Sequence, residues 1–300
     1  MYKVAYHPIY VHPLPAGHRF PMEKYEMLYQ QLLHEGTIET RDVFSPDTID
    51  AHWVLNVHEA TYLNKLQQLS LTQSEVRQTG FPISEQLVER ELRILEGTRR
   101  CADYALTDQI SFNIAGGTHH AFADRGEGFC LLNDQAVAAR YLVDQKKATQ
   151  ILIIDLDVHQ GNGTAAIFQQ DDSVFTFSMH GAHNYPLRKE KSDLDIGLPD
   201  GIGADAYLEI LEEQLTNVLK RFSPDFVFYQ CGVDILGTDK LGRLGVSMDG
   251  CKQRDEIVFG KVRKLGVPVV CSMGGGYSQD INLVVEAHAN TYRVAKHVFA

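Results

Sequence analysis

Three residues in the stretch ILIIDLDVHQGNG, residues 151–163, carry the first chemical signal. Asp155, Asp157 and His159 stand at alternate positions where the apolar run Ile151, Leu152, Ile153, Ile154 gives out. In an extended chain alternate side chains share a face. Two carboxylates and an imidazole are therefore expected to crowd one side of a strand end. Like charges that close repel, and buried carboxylates are costly unless paired, so a cation is called for.

Asp234 follows a second apolar run, FVFYQCG. With Asp157 and His159 it makes one imidazole and two carboxylates, a set that holds a divalent ion and leaves a position open for water and substrate. The imidazole favours zinc over magnesium; Fe(II) or Co(II) suits similar ligands. A structural Asp157–His159 ion pair is the plainer alternative, but it needs no third carboxylate from a distant strand. Asp155 lies one pleat deeper. It can accept a hydrogen bond from an active-site histidine, and with nearby backbone carbonyls it can hold a monovalent cation. His119 and His120, adjacent after two glycines, offer a general base and a general acid. Tyr277 follows Gly274, Gly275 and Gly276, which permit close backbone approach. Its phenol could stabilise the oxyanion of a tetrahedral intermediate. Alone, each histidine reads as a core residue and the tyrosine as a turn residue. Their convergence carries the argument.

The elements that must position these groups are legible as alternating segments. Apolar runs KVAYH, ISFNIAGG, ILIIDLDVH, SVFTFSMH, FVFYQCG and VPVVCSMGGG read as strands. Amphipathic segments near 22–35, 59–69, 84–106, 133–145, 204–221, 247–264 and 281–298 read as helices, with Gly36 placed to end the first. Uniformly apolar strands alternating with helices predict an α/β fold, a parallel sheet covered on both faces. In such sheets the ligand site lies beyond the carboxyl ends of the strands. Four of the six predicted strands lead into His119–His120, Asp155–His159, Asp234 and Tyr277.

The 300 residues, 44% hydrophobic, suit a sizeable core, and the even alternation predicts a single domain over 1–300. A formal net charge of −11 without a basic stripe argues against direct nucleic-acid binding. The five cysteines form no C-x-x-C pair and predict reduced thiols in a cytoplasm-like compartment. MYKVAYHPIY lacks the character of a signal peptide, and no run approaches the length of a membrane span.

Taken together, GGTHHAFADRGEGFCLLND, DLDVHQGNG, CGVDILGTDKLGRLGVS and GGGY, in that order, resemble the zinc-dependent histone deacetylase family of the arginase/deacetylase fold. HPLPAGHRFP and VHEATYLNKL add weaker early matches. The resemblance implies a three-layer α/β/α architecture around a mostly parallel sheet. It implies Asp157, His159 and Asp234 as zinc ligands, His119 and His120 as tandem catalytic histidines, and Tyr277 as the transition-state tyrosine. Asp155 resembles the acceptor behind the first histidine, and Asn162 falls where class I members place an aspartate behind the second. Gly128 and Phe129 resemble one wall of an acyl-lysine channel and Tyr185 the other, with Gly275 beside the substrate. A structural potassium site would use Asp155, Asp157 and His159 with Ser178 and Met179.

The departures from class I are informative. HQGN replaces HHGD, so Gln160 and Asn162 look like class II, class IV or bacterial members. Asn162 accepts a hydrogen bond without supplying a charge, which favours a neutral His120 and assigns it the base. The rim aspartate of class I has no clear counterpart in RQTGFPISEQ, where Glu85 is a distant substitute. The reading is a metal-dependent amidohydrolase acting on acyl-lysine, with an acetylpolyamine amidohydrolase as its rival. A dinuclear arginase-type site is disfavoured because Gly161 and Gly232 stand where bridging carboxylates would be needed. A non-catalytic acyl-lysine reader would have no need of the intact set.

Overall fold

The computed structural model describes residues 2–300. Its centre is one sheet of eight strands, all parallel: β1 (Lys3–Ala5), β2 (Val43–Phe44), β3 (Ile110–Asn113), β4 (Ile151–Asp155), β5 (Val174–Gly181), β6 (Leu194–Leu198), β7 (Phe226–Gln230) and β8 (Val269–Ser272). The strand order is β2-β1-β3-β8-β7-β4-β5-β6. Alternation within the strands sends their side chains to two layers. Ile151, Ile153, Phe226, Phe228 and Val270 meet Cys101, Ala102, Ala136 and Ala139 on one face. Leu152, Ile154, Val227, Tyr229 and Cys271 join the larger cluster with Leu211, Leu215, Val258 and Tyr292 on the other. The expected three-layer α/β/α architecture is the observed one.

The covering helices are α1 (Lys24–His34), α2 (Ala51–Leu55), α3 (Ala60–Gln67), α4 (Gln73–Thr79), α5 (Glu85–Asp108), α6 (Asp134–Asp144), α7 (Asn162–Phe168), α8 (Ala204–Arg221), α9 (Met248–Leu265) and α10 (Ile281–Phe299). Six of them begin at side-chain caps, α5 and α6 among them. The Ser84 hydroxyl caps α5 by accepting from Leu87 N, and the Asn133 side chain caps α6 by accepting from Ala136 N. Along α5 the buried Leu87, Val88, Ile94, Leu95, Cys101, Ala102 and Ala105 recur at helical spacing, which fixes its inner face. Gly36 adopts φ 71° beyond α1, as expected. Among the described residues no helix is long and apolar enough to cross a membrane.

Two strands and three helices go beyond the expected set. β2 spans two residues and β6 is an edge strand, LDIGL, which alternates but is short and only partly buried, unlike the uniformly apolar runs of the central strands. Helices α2, α4 and α7 are five to seven residues long, and α7 opens on Asn-Gly, a turn signal. One expectation needs correction. The strand containing Asp155 does not run on to His159; its ladder ends at Asp155. Beyond it, Asp155 Oδ1 accepts from Asp157 N at 3.2 Å and Asp157 Oδ1 accepts from His159 N at 3.0 Å. These side-chain-to-backbone turns replace the ladder. Leu156 and Val158, both fully buried, still face the core between the polar residues.

Candidate active site

The four strands that lead into polar residues, β3, β8, β7 and β4, are consecutive neighbours in the middle of the sheet. Adjacent strands lie about 4.8 Å apart, so their carboxyl ends deliver side chains within a few ångströms of one another. His119 and His120 follow β3, Tyr277 follows β8, Asp234 follows β7, and Asp157 and His159 follow β4. Asp155, the last residue of β4, lies beneath them. All three carboxylates and all three imidazoles are at most 8% exposed.

Asp157, His159 and Asp234 present ligand atoms that all lie within 4.8 Å of one another. His159 Nδ1 is 3.1 Å from Asp157 Oδ1 and 3.1 Å from Asp234 Oδ2. Ligands about 2.1 Å from a tetrahedral ion stand about 3.4 Å apart, so the trio fits a divalent metal with little adjustment. The outer oxygens are already spoken for. Asp157 Oδ2 accepts from Gly275 N at 2.8 Å, and Asp234 Oδ1 accepts from Val158 N at 2.9 Å. Asp234 is thus clamped by backbone through one oxygen and free to ligate through the other, whereas Asp157 takes a backbone N–H on both oxygens and would ligate through the second lone pair of Oδ1.

The electrostatics of the trio suit a cation. Burial and then the neighbouring Asp157 push Asp234 up to about 7. Burial lowers His159, but Asp157 and Asp234 outweigh it and lift the imidazole to about 10. A divalent ion held by the trio would supply the positive charge that these shifts call for. A second ion has no bridging ligands. A Cβ at Gly232 would come within 2.2 Å of Asp157 Oδ2, and one at Gly161 within 2.3 Å of Asp155 Oδ2.

The two histidine rings lie tilted against each other, with centroids 4.1 Å apart, but have different partners. His119 Nδ1 bonds the Asp155 carboxylate at 2.7 Å, and His120 Nδ1 bonds the Asn162 amide oxygen at 2.6 Å. Burial pulls His119 down, yet Asp155 and then Asp157 overcome it and hold the ring at about 9. Burial, followed by the charges of His119 and His159, keeps His120 well below the ordinary histidine value. One imidazole is held charged and the other neutral, the environment that separates an acid from a base.

A channel leads to these groups. Gly128 and Phe129 are consecutive left-handed residues, with φ 52° and 68°. Their amides donate to the carbonyls of Gln78 (3.1 Å) and Thr79 (2.7 Å) at the end of α4. The close approach explains the glycine: a Cβ at Gly128 would stand 2.7 Å from His120 Cδ2. Phe129 packs on Phe20 and Phe81, and Tyr277 lies beside both Phe20 and Phe129. Tyr185, 39% exposed, faces His120 edge-on at 5.1 Å. Gly275 lies at the inner end with its amide on Asp157. Outside, the mouth opens to about 510 Å³.

The remaining expected residues are also placed. The β4–β5 register sets Asp155 beside Ser178, with Met179 next along, so the expected potassium residues share one neighbourhood. Gln160 turns away from the histidines and bonds Glu190 and Asp195, bracing the outer edge of the sheet. Glu85 opens α5 and does not line the mouth; Arg77 and Gln78 do. Three contributors escape a sequence reading. Asp134 accepts from Gly117 N, Thr118 N and the Thr118 hydroxyl, fixing the turn that presents the histidines. Its only signal is its place at the start of a helix. Lys24, 1% exposed, donates to Gly274 O at 3.0 Å and lies 5.3 Å from the Tyr277 ring centroid, although it looks like a polar position of α1. Glu127, 8% exposed, stands behind Asn162.

The fold and site define a class, α/β proteins that gather candidate metal-ligand and acid–base side chains at the carboxyl edge of a parallel sheet. A histone deacetylase domain model matches residues 18–292, so the chain belongs to the histone deacetylase family. It is 45% identical over 298 residues to an uncharacterized protein of Picosynechococcus sp., covering 99% of both chains. It is 30% identical over 278 residues to Histone deacetylase 2 of Arabidopsis thaliana, covering 89% of this chain and 72% of that one. Among solved structures, the HDA15 HD domain superposes with a TM-score of 0.85 at 23% identity, covering 98% of this chain and 88% of that one. An HDAC homolog from Aquifex aeolicus superposes with a TM-score of 0.83 at 22% identity, covering 98% and 83%. The structural likenesses speak to the fold.

Proposed function

We propose that this chain hydrolyses the amide of an acylated lysine side chain, releasing a carboxylic acid and the free amine. The observation that carries the reading is the arrangement itself: three metal-ligand side chains and two unequally partnered histidines at the end of a narrow aromatic channel. Asp157, His159 and Asp234 would hold the divalent ion, with zinc the best fit to one imidazole and two carboxylates and Fe(II) the next. Bound there, the metal would supply Lewis-acid polarisation and lower the pKa of water.

The chain's own residues do the rest. Phe129 and Tyr185 flank the methylene stem of the lysine. Neutral His120 takes a proton from water as its oxygen attacks the carbonyl carbon. Tyr277, whose phenol burial and then Asp234 and Asp157 keep firmly protonated, donates a hydrogen bond to the developing oxyanion. Charged His119, anchored by Asp155, passes a proton to the nitrogen as the C–N bond breaks. Potassium at Asp155, Asp157, His159, Ser178 and Met179 would offset the carboxylate density beneath the site. The whole chain acts as one catalytic domain in a reducing cytoplasm, a placement supported by five buried, unpaired cysteines.

The rival substrate is an acylated polyamine. The mouth argues against it. Arg19, Arg77 and Arg243 line it together with His183, and no acidic residue does so among the described residues. Arg243 and His183 both contact Asp200, at 3.4 and 3.2 Å, so the rim owes its positive character to Arg19 and Arg77, a local exception on a chain of net charge −11. It disfavours a polycation and suits an acyl-lysine with acidic neighbours. The test is hydrolysis of an acetyl-lysine peptide by zinc-loaded protein. His120→Ala should lower kcat by about 10²–10⁴-fold, and Tyr277→Phe by about 10²–10³-fold. Full activity in both variants would refute the proposal.

A further inference from the structure

The groups behind the two histidines differ in kind. Asp155 gives His119 a carboxylate directly, whereas Asn162 offers His120 an amide, which can present either an oxygen or an NH₂ group. The neighbour of Asn162 decides which. Glu127 Oε2 lies 3.2 Å from Asn162 Nδ2 and 2.6 Å from the Tyr185 hydroxyl. Its Oε1 accepts from Gln78 Nε2 at 2.8 Å and Arg125 Nε at 3.0 Å. An ionised carboxylate only accepts hydrogen bonds. Asn162 must therefore turn its NH₂ toward Glu127 and its oxygen toward His120. That oxygen requires a hydrogen on His120 Nδ1 and leaves the lone pair on Nε2.

We propose that Glu127 is a positioning residue for the general base. Through Asn162 it fixes His120 in the Nδ1–H tautomer and supplies, one hydrogen bond removed, the negative charge that Asn162 lacks. The same carboxylate oxygen holds the Tyr185 hydroxyl, so base and channel wall are anchored to one group. Its backbone completes the link: Glu127 N donates to Cys130 O at 3.0 Å, closing the turn that carries Gly128 and Phe129. With its four donors in place, Glu127 is committed to its neighbours rather than to substrate. Its effect on the reaction runs through Asn162 and Tyr185. The base assignment rests on the function proposed above; the tautomer does not.

The test is a cycle of three variants. Glu127→Gln puts a donor where only an acceptor was, freeing Asn162 to flip; kcat should fall about 10-fold or more, with metal content retained and KM changing less than kcat, because the Tyr185 hydroxyl can turn to accept from the new NH₂ group. Asn162→Asp alone sets two carboxylates face to face and should also lose activity. In the double variant Glu127→Gln/Asn162→Asp, the carboxylate introduced at position 162 accepts hydrogen bonds both from the amide introduced at position 127 and from His120. There kcat should recover to within about 3-fold of wild type. Wild-type kcat in Glu127→Gln, or a double variant no better than the worse single one, would overturn the proposal. Independently of any turnover, ¹⁵N NMR of the metal-loaded wild type should show His120 with a protonated Nδ1 and a lone pair on Nε2. The opposite tautomer would refute the proposal even if the enzyme is active. Absence of hydrolysis with the expected tautomer would count against the reaction alone.

Discussion

Gly275→Ala is the smallest change that should empty the metal site while sparing the fold. The added Cβ would lie 1.9 Å from Asp234 Oδ2, 2.7 Å from its Cγ and 3.0 Å from Asp157 Oδ2. Gly274 and Gly276 have positive φ, but Gly275 does not, so its backbone accepts alanine without strain. The whole effect is steric, and it falls on the ligands. To restore ordinary contact Asp234 Oδ2 must retreat by about 1.5 Å, whereas coordination tolerates about 0.2 Å. Losing support of a ligand costs about 10–100-fold in affinity, so on the order of 100-fold is expected here. The overpacking should cost about 1–3 kcal/mol of stability. The assay is zinc competition against a chromophoric chelator, with thermal unfolding measured in excess chelator. Gly260→Ala is the control: Gly260 is exposed within α9, nothing lies within 4 Å of its Cβ, and the change should stabilise by about 0.5–1 kcal/mol. Wild-type zinc affinity in Gly275→Ala would refute the reasoning.

Two further outcomes follow from groups outside the metal cluster. His58 is buried, and its Nε2 accepts from Asn133 N at 2.9 Å; burial holds its pKa down from 6.5 to about 4. The unfolded chain binds the proton first, so the stability this residue contributes is full above about pH 6.5, is lost as pH falls toward 4, and amounts to about 3 kcal/mol. His58→Gln keeps an acceptor without titrating, so denaturant unfolding of the variant should lose correspondingly less stability over that window; equal losses would contradict this. At the rim, Arg19→Glu/Arg77→Glu should lower kcat/KM for acetyl-lysine peptides with acidic flanks and raise it for acetylspermidine, with both effects shrinking as salt increases; unchanged selectivity would show that the rim does not choose the substrate.

Much of the site is legible because its residues follow apolar runs. Ile151–Ile154, Phe226–Gln230 and Val269–Ser272 announce buried strands, and a parallel sheet exposes what comes after them. Asp157, His159 and Asp234 can therefore be grouped from positions far apart in the chain. The detail behind the grouping is partly different: Asx-type turns, not a continued strand, carry Asp157 and His159 into place. The residues that escape have no local pattern. Glu127 matters because a loop sets it against Asn162, 35 positions away, and Lys24 because α1 turns it beneath Gly274, 250 positions away. Short elements such as β2 and α7 escape for a related reason: they are held by neighbours rather than by their own periodicity.

The most direct test of the account is acetate release from an acetyl-lysine peptide by the chain stripped with chelator and then titrated with zinc. The stripped protein should show no turnover, and activity should rise with zinc and saturate at a single ion per chain. In Asp157→Ala or Asp234→Ala, zinc should fail to restore it. Turnover that survives complete removal of metal, or its absence in fully loaded protein, would contradict the central claim.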